Sequence, residues 1–278
     1  MHKLVWLSSY PKSGNTWVRL FLAAYTKPER PGVDINNIDM SLHAGNRDMV
    51  DRVIGVQSSD LTAAEIERYR PEVYRQLAAE ADEPLFIKVH DRWRQHAEGS
   101  AIFPADATLA TIYIVRDPRA VAPSYANHYG LSVDAAIERM SDPGNDIHPQ
   151  TDRLRRQLHQ PMGSWSQHVL SWLDQTELPV LLLRYEDMHA DPESSFAKIV
   201  AASGLTLDSA RLSKALAETR FDRLQQQESE AGFKERPRAS TRFFRRGEVE
   251  SWREELTPAQ CERIVNEHGL VMRRLGYL

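Results

Sequence analysis

Short apolar runs alternate with amphipathic stretches along this chain. Runs rich in Val, Ile and Leu and bounded by turn residues are typical of buried strands. Apolar residues at helical spacing lie between these runs, as in the stretch that starts at Thr16. The pattern predicts four strands, at Leu4–Ser9, Leu85–His90, Thr111–Val115 and Val180–Leu183.

Capping sequences predict where several helices begin. Thr62 followed by Glu65 has the form of a capping box, which predicts a helix to about Tyr69. Pro71 fits the first turn of a second helix that runs to about Ala81. Side chains that favour helix N-termini predict three later helices, which start after Ser164, Asp191 and Thr257.

Strands that alternate with helices predict an α/β fold, with a mostly parallel, P-loop-like sheet flanked by helices on both faces. We expect residues 1–278 to form a single domain. In such sheets ligands bind beyond the carboxyl ends of the strands. Two stretches, about 141–160 and about 225–241, are poor in periodic apolar residues and are predicted to be mobile loops.

Composition narrows the function classes. The chain has 278 residues, of which 41% are hydrophobic and 27% charged, as in an ordinary globular protein. Its formal charge of -4 argues against a nucleic-acid partner, and any anion site must be local. The single cysteine, Cys261, excludes an intramolecular disulfide and a C-x-x-C motif. No apolar run approaches the ~20 residues that span a bilayer, so we expect no membrane partner and a cytoplasmic location.

The first predicted strand is followed by a candidate anion site. A strand, a short loop and a helix N-terminus direct backbone N–H groups and the positive end of a helix dipole at a bound anion. Gly14 permits close approach of the backbone, and Lys12, Ser13 and Thr16 add side-chain donors. A plain βα turn remains the alternative. Because Lys12 precedes Gly14, the Walker order of nucleoside-triphosphate kinases is absent.

The loop sequence Y-P-K-S-G-N-T-W at residues 10–17 resembles the 5′-phosphosulfate loop of the cytosolic-type sulfotransferases. These enzymes use 3′-phosphoadenosine 5′-phosphosulfate (PAPS) and release the bisphosphate PAP. Further segments resemble the same family in the same order along the chain. The resemblance implies that the 5′ end of the nucleotide is bound by Lys12, Ser13, Gly14, Asn15, Thr16 and Trp17.

The other end of the nucleotide is matched by two further motifs. Arg116 in V-R-D-P, with Ser124 eight residues later, resembles the 3′-phosphate motif, and an arginine fork suits phosphate oxygens. Arg245-Arg246-Gly247 resembles the R-K-G loop that closes over the same phosphate, although Glu250 and Ser251 depart from its usual Gly-Asp. The resemblance places the adenine beside Tyr185 of Y-E-D-M and beside Thr219 and Phe221 of the T-x-F segment.

His90 ends the second predicted strand in F-I-K-V-H and resembles the histidine of the family's K-x-H motif. In that family the histidine is the catalytic base and the lysine, here Lys88, assists it. Strand alternation places Lys88 and His90 on one face, as a joint role requires. The chemistry implied is in-line transfer of a sulfuryl group, with Lys12 stabilising the departing bridging oxygen. No metal is expected, since no cluster has ligand spacing.

The resemblance implies transfer from PAPS to a hydroxyl or amine of a small-molecule, natural-product or glycan acceptor. Two alternatives remain open, a P-loop nucleotide kinase and a catalytically inactive nucleotide-binding regulatory protein. The segments expected to contact the acceptor resemble the family least, so the acceptor itself is not predicted. A loose form of the family's dimer motif at residues 253–262 leaves both a homodimer and a monomer open.

Overall fold

The computed structural model of this chain describes residues 3–38, 41–147 and 155–278. The strands in these ranges are β1 (Leu4–Ser9), β2 (Ser41–His43), β3 (Leu85–Val89), β4 (Thr108–Val115) and β5 (Val180–Arg184). They form one sheet in the spatial order β2-β3-β1-β4-β5, and every neighbouring pair is parallel. The central strand, β1, is buried along its whole length, which explains its run of apolar residues.

Helices connect these strands and pack on both faces of the sheet, as the predicted α/β class requires. Those in the described ranges are α1 (Asn15–Thr26), α2 (Arg47–Ile54), α3 (Ala63–Glu80), α4 (Pro118–Tyr129), α5 (Val133–Ser141), α6 (Trp165–Leu173), α7 (Tyr185–Ala190), α8 (Pro192–Ala202), α9 (Ser209–Glu218), α10 (Phe221–Ala231), α11 (Trp252–Glu255) and α12 (Pro258–Arg274).

The core consists of two main apolar layers, one on each side of the sheet. One layer contains Trp6 and Tyr113 and packs against α3, α4, α6 and α12. The other contains Val5 and Ile112 and packs against α1, α8 and α9. Adjacent strand residues therefore point to opposite layers, as strand geometry dictates. This arrangement confirms a predominantly parallel sheet with helices on both faces.

The predicted capping boxes are confirmed. The side-chain oxygens of Thr62, Ser164 and Thr257 each accept the backbone N–H three residues later, where Glu or Gln returns a hydrogen bond. Asp191 caps α8 by accepting the N–H of Ser194. Each cap satisfies donors that a helix N-terminus leaves without an intrahelical partner.

Pro71 does not start a new helix, so the prediction of a break between Tyr69 and Pro71 is wrong. α3 is continuous from Ala63 to Glu80 with Pro71 inside it. An interior proline costs about 3 kcal/mol through its missing hydrogen bond. The buried face of α3 runs through this point, with Ile66 before the proline and Tyr74 after it, and packing of that face outweighs the loss.

Two other predictions about local structure need correction. β2 was not predicted, because three residues are too few to show a strand pattern. The predicted loop at about 225–241 overlaps α10, which extends to Ala231. In the other predicted loop, about 141–160, residues 148–154 lie outside the described ranges, and 142–147 and 155–160 contain only isolated bridges. The mobility of both stretches stays a prediction.

The parallel arrangement places the carboxyl ends of all strands at one edge of the sheet. Tyr10 follows β1, His90 follows β3, Arg116 follows β4 and Tyr185 follows β5 at this edge. Among residues 3–38, 41–147 and 155–278, no helix is both long and apolar enough to cross a membrane.

Candidate active site

A cavity of about 840 Å³ opens at the carboxyl edge of the sheet. Its wall includes every residue that the sequence motifs predicted for the site except Ser13. The wall includes Lys12, Gly14, Asn15, Thr16, Trp17, Lys88, His90, Arg116, Ser124, Tyr185, Thr219, Phe221, Arg245, Arg246 and Gly247. The Ser13 side chain is instead fully buried outside this wall, and its Oγ has no hydrogen-bond partner.

The loop between β1 and α1 has an unusual backbone. Lys12 has a φ of 72° and Gly14 a φ of 106°, both in the left-handed region. A Cβ on Gly14 would lie 2.7 Å from Cδ2 of Tyr185, so only glycine fits there. Asn15 fastens the loop to β1, since its Nδ2 donates to the carbonyl of Leu7 over 2.8 Å. The loop therefore holds its backbone close to the aromatic wall of the cavity.

Lys12 lies deep in this cavity. Its Nζ is 3.9 Å from the centroid of the Phe243 ring, within the range of a cation–π contact. Burial, together with the nearby cations Arg116 and Lys88, lowers the pKa of Lys12 to about 7. An incoming anion would reverse this effect, because an opposite charge favours the ammonium form.

A cluster of arginines lies next to the loop, where Arg116 donates to the carbonyl of Lys12 over 3.3 Å. The guanidinium of Arg116 is 4.3 Å from the centroid of the Tyr185 ring and donates to the carbonyl of Glu248 over 2.8 Å, while its Nε has no partner among the described residues. Arg245 forms a two-pronged ion pair with Glu255, and Arg246 pairs with Glu254. Both pairs leave guanidinium N–H groups for a further oxygen.

Aromatic side chains form the wall between the loop and the arginines. The Tyr185 hydroxyl donates to the carbonyl of Gly247 over 2.9 Å. A Cβ on Gly247, which has a φ of 70°, would lie 2.4 Å from Cδ2 of Phe221. Thr219, which also lines the cavity, is almost completely buried, and its hydroxyl donates to the carbonyl of Ala215 over 2.8 Å. The ring of Trp17 packs nearby, and its Nε1 has no partner within residues 3–38, 41–147 and 155–278.

His90 lies on the cavity wall with a defined orientation. Its Nδ1 is 2.8 Å from the carbonyl oxygen of Ser9. A carbonyl only accepts, so Nδ1 carries the proton and Nε2 keeps its lone pair. Burial, assisted by the Lys88 ammonium, holds the pKa of His90 well below its usual value. The imidazole is therefore neutral near pH 7, the state that a general base requires.

The backbone at His90 is fixed by α6. The Tyr113 hydroxyl donates to Nδ1 of His168 over 2.8 Å, and Nε2 of His168 donates to the carbonyl of His90 over 3.1 Å. Next along the chain, Trp172 donates to the carbonyl of Asp91. Side chains of α6 therefore hold the strand end that carries His90.

The side chain of Asp91 anchors the segment that follows His90. Its carboxylate pairs with Arg70 of α3 over 2.9 Å, and both side chains are almost completely inaccessible to solvent. Arg94 makes a second ion pair with it at 3.0 Å. These cations hold the pKa of Asp91 at about 2 against the opposing effect of burial. Asp91 therefore ties the segment after His90 to α3.

The cavity wall near His90 also contains residues to which the sequence analysis assigned no role. These are Arg19, His43, His128 and Glu235. His43 lies at the end of the unpredicted β2, with its ring centroid 6.3 Å from that of His90. A single histidine after a three-residue strand gives no recognisable signal. Tyr129 of α4 also lines the cavity.

A parallel sheet with a βα anion loop, a cluster of arginines and a neutral histidine in one cavity defines a nucleotide-dependent α/β group transferase. The sulfotransferase-domain family model matches residues 2–274, so the chain belongs to that family. It is a PAPS-dependent sulfotransferase. The kinase alternative is therefore set aside, as is the alternative of an inactive regulatory protein.

Curated relatives and solved structures agree with this assignment. The chain is 26% identical to Sulfotransferase 1A1 of Canis lupus familiaris, over 97% of this chain and 83% of the relative. It is 24% identical to Sulfotransferase 1B1 of Mus musculus, over 92% of this chain and 78% of that one. Mouse sulfotransferase SULT7A1, solved with PAP, shares the fold with a TM-score of 0.59 at 22% identity, covering 98% and 85% of the two chains.

A retinol dehydratase solved with androsterone and PAP also shares the fold. Its TM-score is 0.64 at 17% identity, and the match covers 98% of this chain and 81% of that chain.

Proposed function

We propose that this enzyme transfers the sulfuryl group of PAPS to a hydroxyl or amine of a small-molecule, natural-product or glycan acceptor, with His90 as general base. The observation that carries the proposal is that Lys12, His90 and the arginines around Arg116 line one cavity. A nucleotide with two separate anionic ends is the ligand that such a distribution of charge fits.

The residues present fit this nucleotide. Trp17 and Arg116 carry buried N–H groups with no partner in the described part of the chain, which is costly unless a ligand supplies acceptors. We infer that Lys12, Thr16 and the loop amides hold the 5′ end, and that Arg116, Ser124, Arg245 and Arg246 hold the 3′-phosphate. Tyr185, Phe221 and Thr219 are then placed for the adenine. When bound, PAPS supplies the sulfuryl group and a bisphosphate leaving group.

His90 has the geometry of a base that accepts a proton at one defined atom. Its Nδ1–H is held by Ser9, so Nε2 is the atom that removes the proton of the acceptor hydroxyl. The hydrogen bond to Ser9 also favours the imidazolium that forms during transfer. A positioned base of this kind contributes about 10²- to 10⁴-fold to the rate. Lys88 and Lys12 supply positive charge on either side of the reacting centre.

The acceptor is expected beside His90. The wall there combines aromatic rings, such as Tyr129 and Phe243, with the imidazoles of His43 and His128. Burial lowers the pKa of both imidazoles to about 3, so they offer neutral hydrogen-bonding groups at pH 7. A neutral small molecule with an apolar body and polar groups suits this wall.

A homodimer and a cytoplasmic location stay predictions.

Two experiments test the proposal. Calorimetry should give micromolar or tighter binding of PAP and much weaker binding of ADP, which lacks the 3′-phosphate. Incubation with PAPS and a panel of phenols, alcohols, amines and glycosides should give one product with an 80 Da gain for each PAP released. Equal affinity for ADP and PAP, or release of PAP from no member of the panel, would contradict the proposal.

A further inference from the structure

Glu235 forms ion pairs that join three parts of the fold beside His90. Its carboxylate accepts two hydrogen bonds from Arg19 of α1, over 2.9 and 2.7 Å. The same carboxylate is 3.6 Å from Nζ of Lys88 on β3. Arg19 is 6% exposed and Lys88 17%, so both cations are largely removed from solvent. Glu235 belongs to the segment after α10, far from both partners in sequence.

We propose that Arg19 and Glu235 position Lys88 and set its charge for catalysis. The inference rests on the proposed function, in which Lys88 acts as an ammonium next to His90. Glu235 favours the charged form of Lys88 because an opposite charge lies within 4 Å. Arg19 disfavours it because a like charge lies on the far side of the same carboxylate. The two residues therefore act on Lys88 in opposite directions.

The surroundings of Lys88 make this balance important. Burial and the Arg19 guanidinium lower its pKa, Glu235 raises it, and the resulting pKa is about 8. Glu235 remains anionic, because Lys88 and Arg19 hold its pKa at about 2 despite burial. Lys88 is therefore mostly charged at pH 7, but a small further decrease in its pKa would leave much of it neutral. The other titratable groups that interact with it are Lys12, His43, His90 and His128.

These other groups do not duplicate the control exerted by Glu235. Burial lowers the pKa of His43, His90 and His128 below the neutral range, so their charge is constant above pH 6.5. Lys12, whose pKa is about 7, repels Lys88 less as the pH rises. Among the described residues, Glu235 is the one carboxylate within ion-pair distance of Lys88. Glu235→Gln therefore removes the carboxylate that favours the ammonium form of Lys88.

The direct test is NMR titration of the ligand-free protein labelled with ¹³C at lysine Cε. The chain has seven lysines, and the Lys88 signal is assigned by its loss in Lys88→Arg. Glu235→Gln should lower the pKa of Lys88 by about 1–3 units, and Arg19→Gln should raise it. The pKa of Lys88 in the double variant should lie between the values in the two single variants. Glu230→Gln, on the exposed side of α10, is the matched control and should leave it unchanged.

The rate of PAP release from PAPS gives a second readout, with phenol as acceptor probe because it keeps its proton over this pH range. Its kcat/KM for PAPS should fall as the pH rises through the pKa of Lys88, because the ammonium is the active form. Glu235→Gln should move this fall to lower pH and Arg19→Gln to higher pH. Damage to the fold alone would not move the pH at which kcat/KM falls in opposite directions in the two variants.

Two results would overturn the inference while the proposed function stands. One is a Lys88 pKa in Glu235→Gln within about half a unit of the parent. The other is a shift in the same direction in both variants. Restoration of the parental pKa by Glu235→Asp would support the role of the charge. A parent protein that neither binds PAP nor releases it from PAPS would instead remove the proposed function, and this inference with it.

Discussion

Substitution of Gly247 by alanine tests whether the aromatic wall and the arginine loop form one nucleotide site. Gly247 has a φ of 70°, and an added Cβ would lie 2.4 to 2.8 Å from three atoms of the Phe221 ring. Real Cβ atoms do not approach other atoms so closely, so the ring or the loop must move. Either movement disturbs the wall assigned to the adenine and the loop that carries Arg245 and Arg246.

Two separable costs make up the expected effect. A left-handed backbone conformation costs a non-glycine residue roughly 1–2 kcal/mol, which lowers the free energy of unfolding. Displacement of Phe221 removes stacking on the nucleotide base, for which measured values on other proteins are ~1–3 kcal/mol per base. We therefore expect Gly247→Ala to weaken PAP binding by roughly 5- to 150-fold, since 1.4 kcal/mol is a factor of ten.

Gly55→Ala is the matched control. Gly55 has a φ of 73°, nearly that of Gly247, but an added Cβ there would meet no atom within 4 Å. It ends α2, away from the cavity wall. The control should lose the same roughly 1–2 kcal/mol of stability in urea unfolding and bind PAP like the parent. Calorimetry with PAP and urea unfolding of all three proteins separate the two costs.

Equal loss of PAP affinity in both variants would mean that backbone strain, not contact with Phe221, controls binding. Parental affinity in Gly247→Ala would refute the assignment of Phe221 and Gly247 to the nucleotide site.

Three further predictions concern stability and nucleotide affinity. Arg70→Ala should lose up to about 3–5 kcal/mol in urea unfolding because it removes one of the two cations paired with buried Asp91, whereas Arg75→Ala, which breaks an exposed pair with Asp106, should lose less than about 1 kcal/mol. Similar losses would refute this account. The free energy of unfolding should fall by at least roughly 3 kcal/mol from pH 6.5 to 5, because burial lowers the pKa of His168 and His268 to about 4 and only the unfolded chain takes up protons there. The lowered pKa values of His43, His90 and His128 add to this fall. A flat urea series over this range would contradict it. Arg116→Ala should weaken PAP binding roughly 10- to 100-fold by calorimetry, the value of a hydrogen bond to a charged group, and unchanged affinity would exclude Arg116 from the 3′-phosphate site.

The residues at the strand ends were predictable because the parallel sheet gathers them at one edge. Lys12, His90, Arg116 and Tyr185 each follow a strand, and the cavity brings them together. The motif around Ser13 gave the right loop, yet that side chain points into the protein. A motif specifies the backbone path, whereas burial of a single side chain depends on packing by distant residues.

Other parts of the fold have no sequence pattern that predicts them. The predicted loop at about 225–241 includes the second half of α10, because the buried positions there include Glu228, a charged residue that interrupts the apolar spacing. That carboxylate accepts the N–H groups of Phe243 and Phe244, both over 2.8 Å, and so fixes the segment that carries the arginines. The contacts of Glu235 with Arg19 and Lys88 are equally invisible in sequence, because they join residues far apart along the chain.

Loss of the imidazole of His90 tests the central claim most directly. His90→Gln should bind PAP within about twofold of the parent, and it should form PAP and sulfated phenol at least about 10²-fold more slowly in a single turnover at pH 7.5, where phenol keeps its proton. Single-turnover rates within twofold of each other, at equal PAP affinity, would mean that another group removes the acceptor proton.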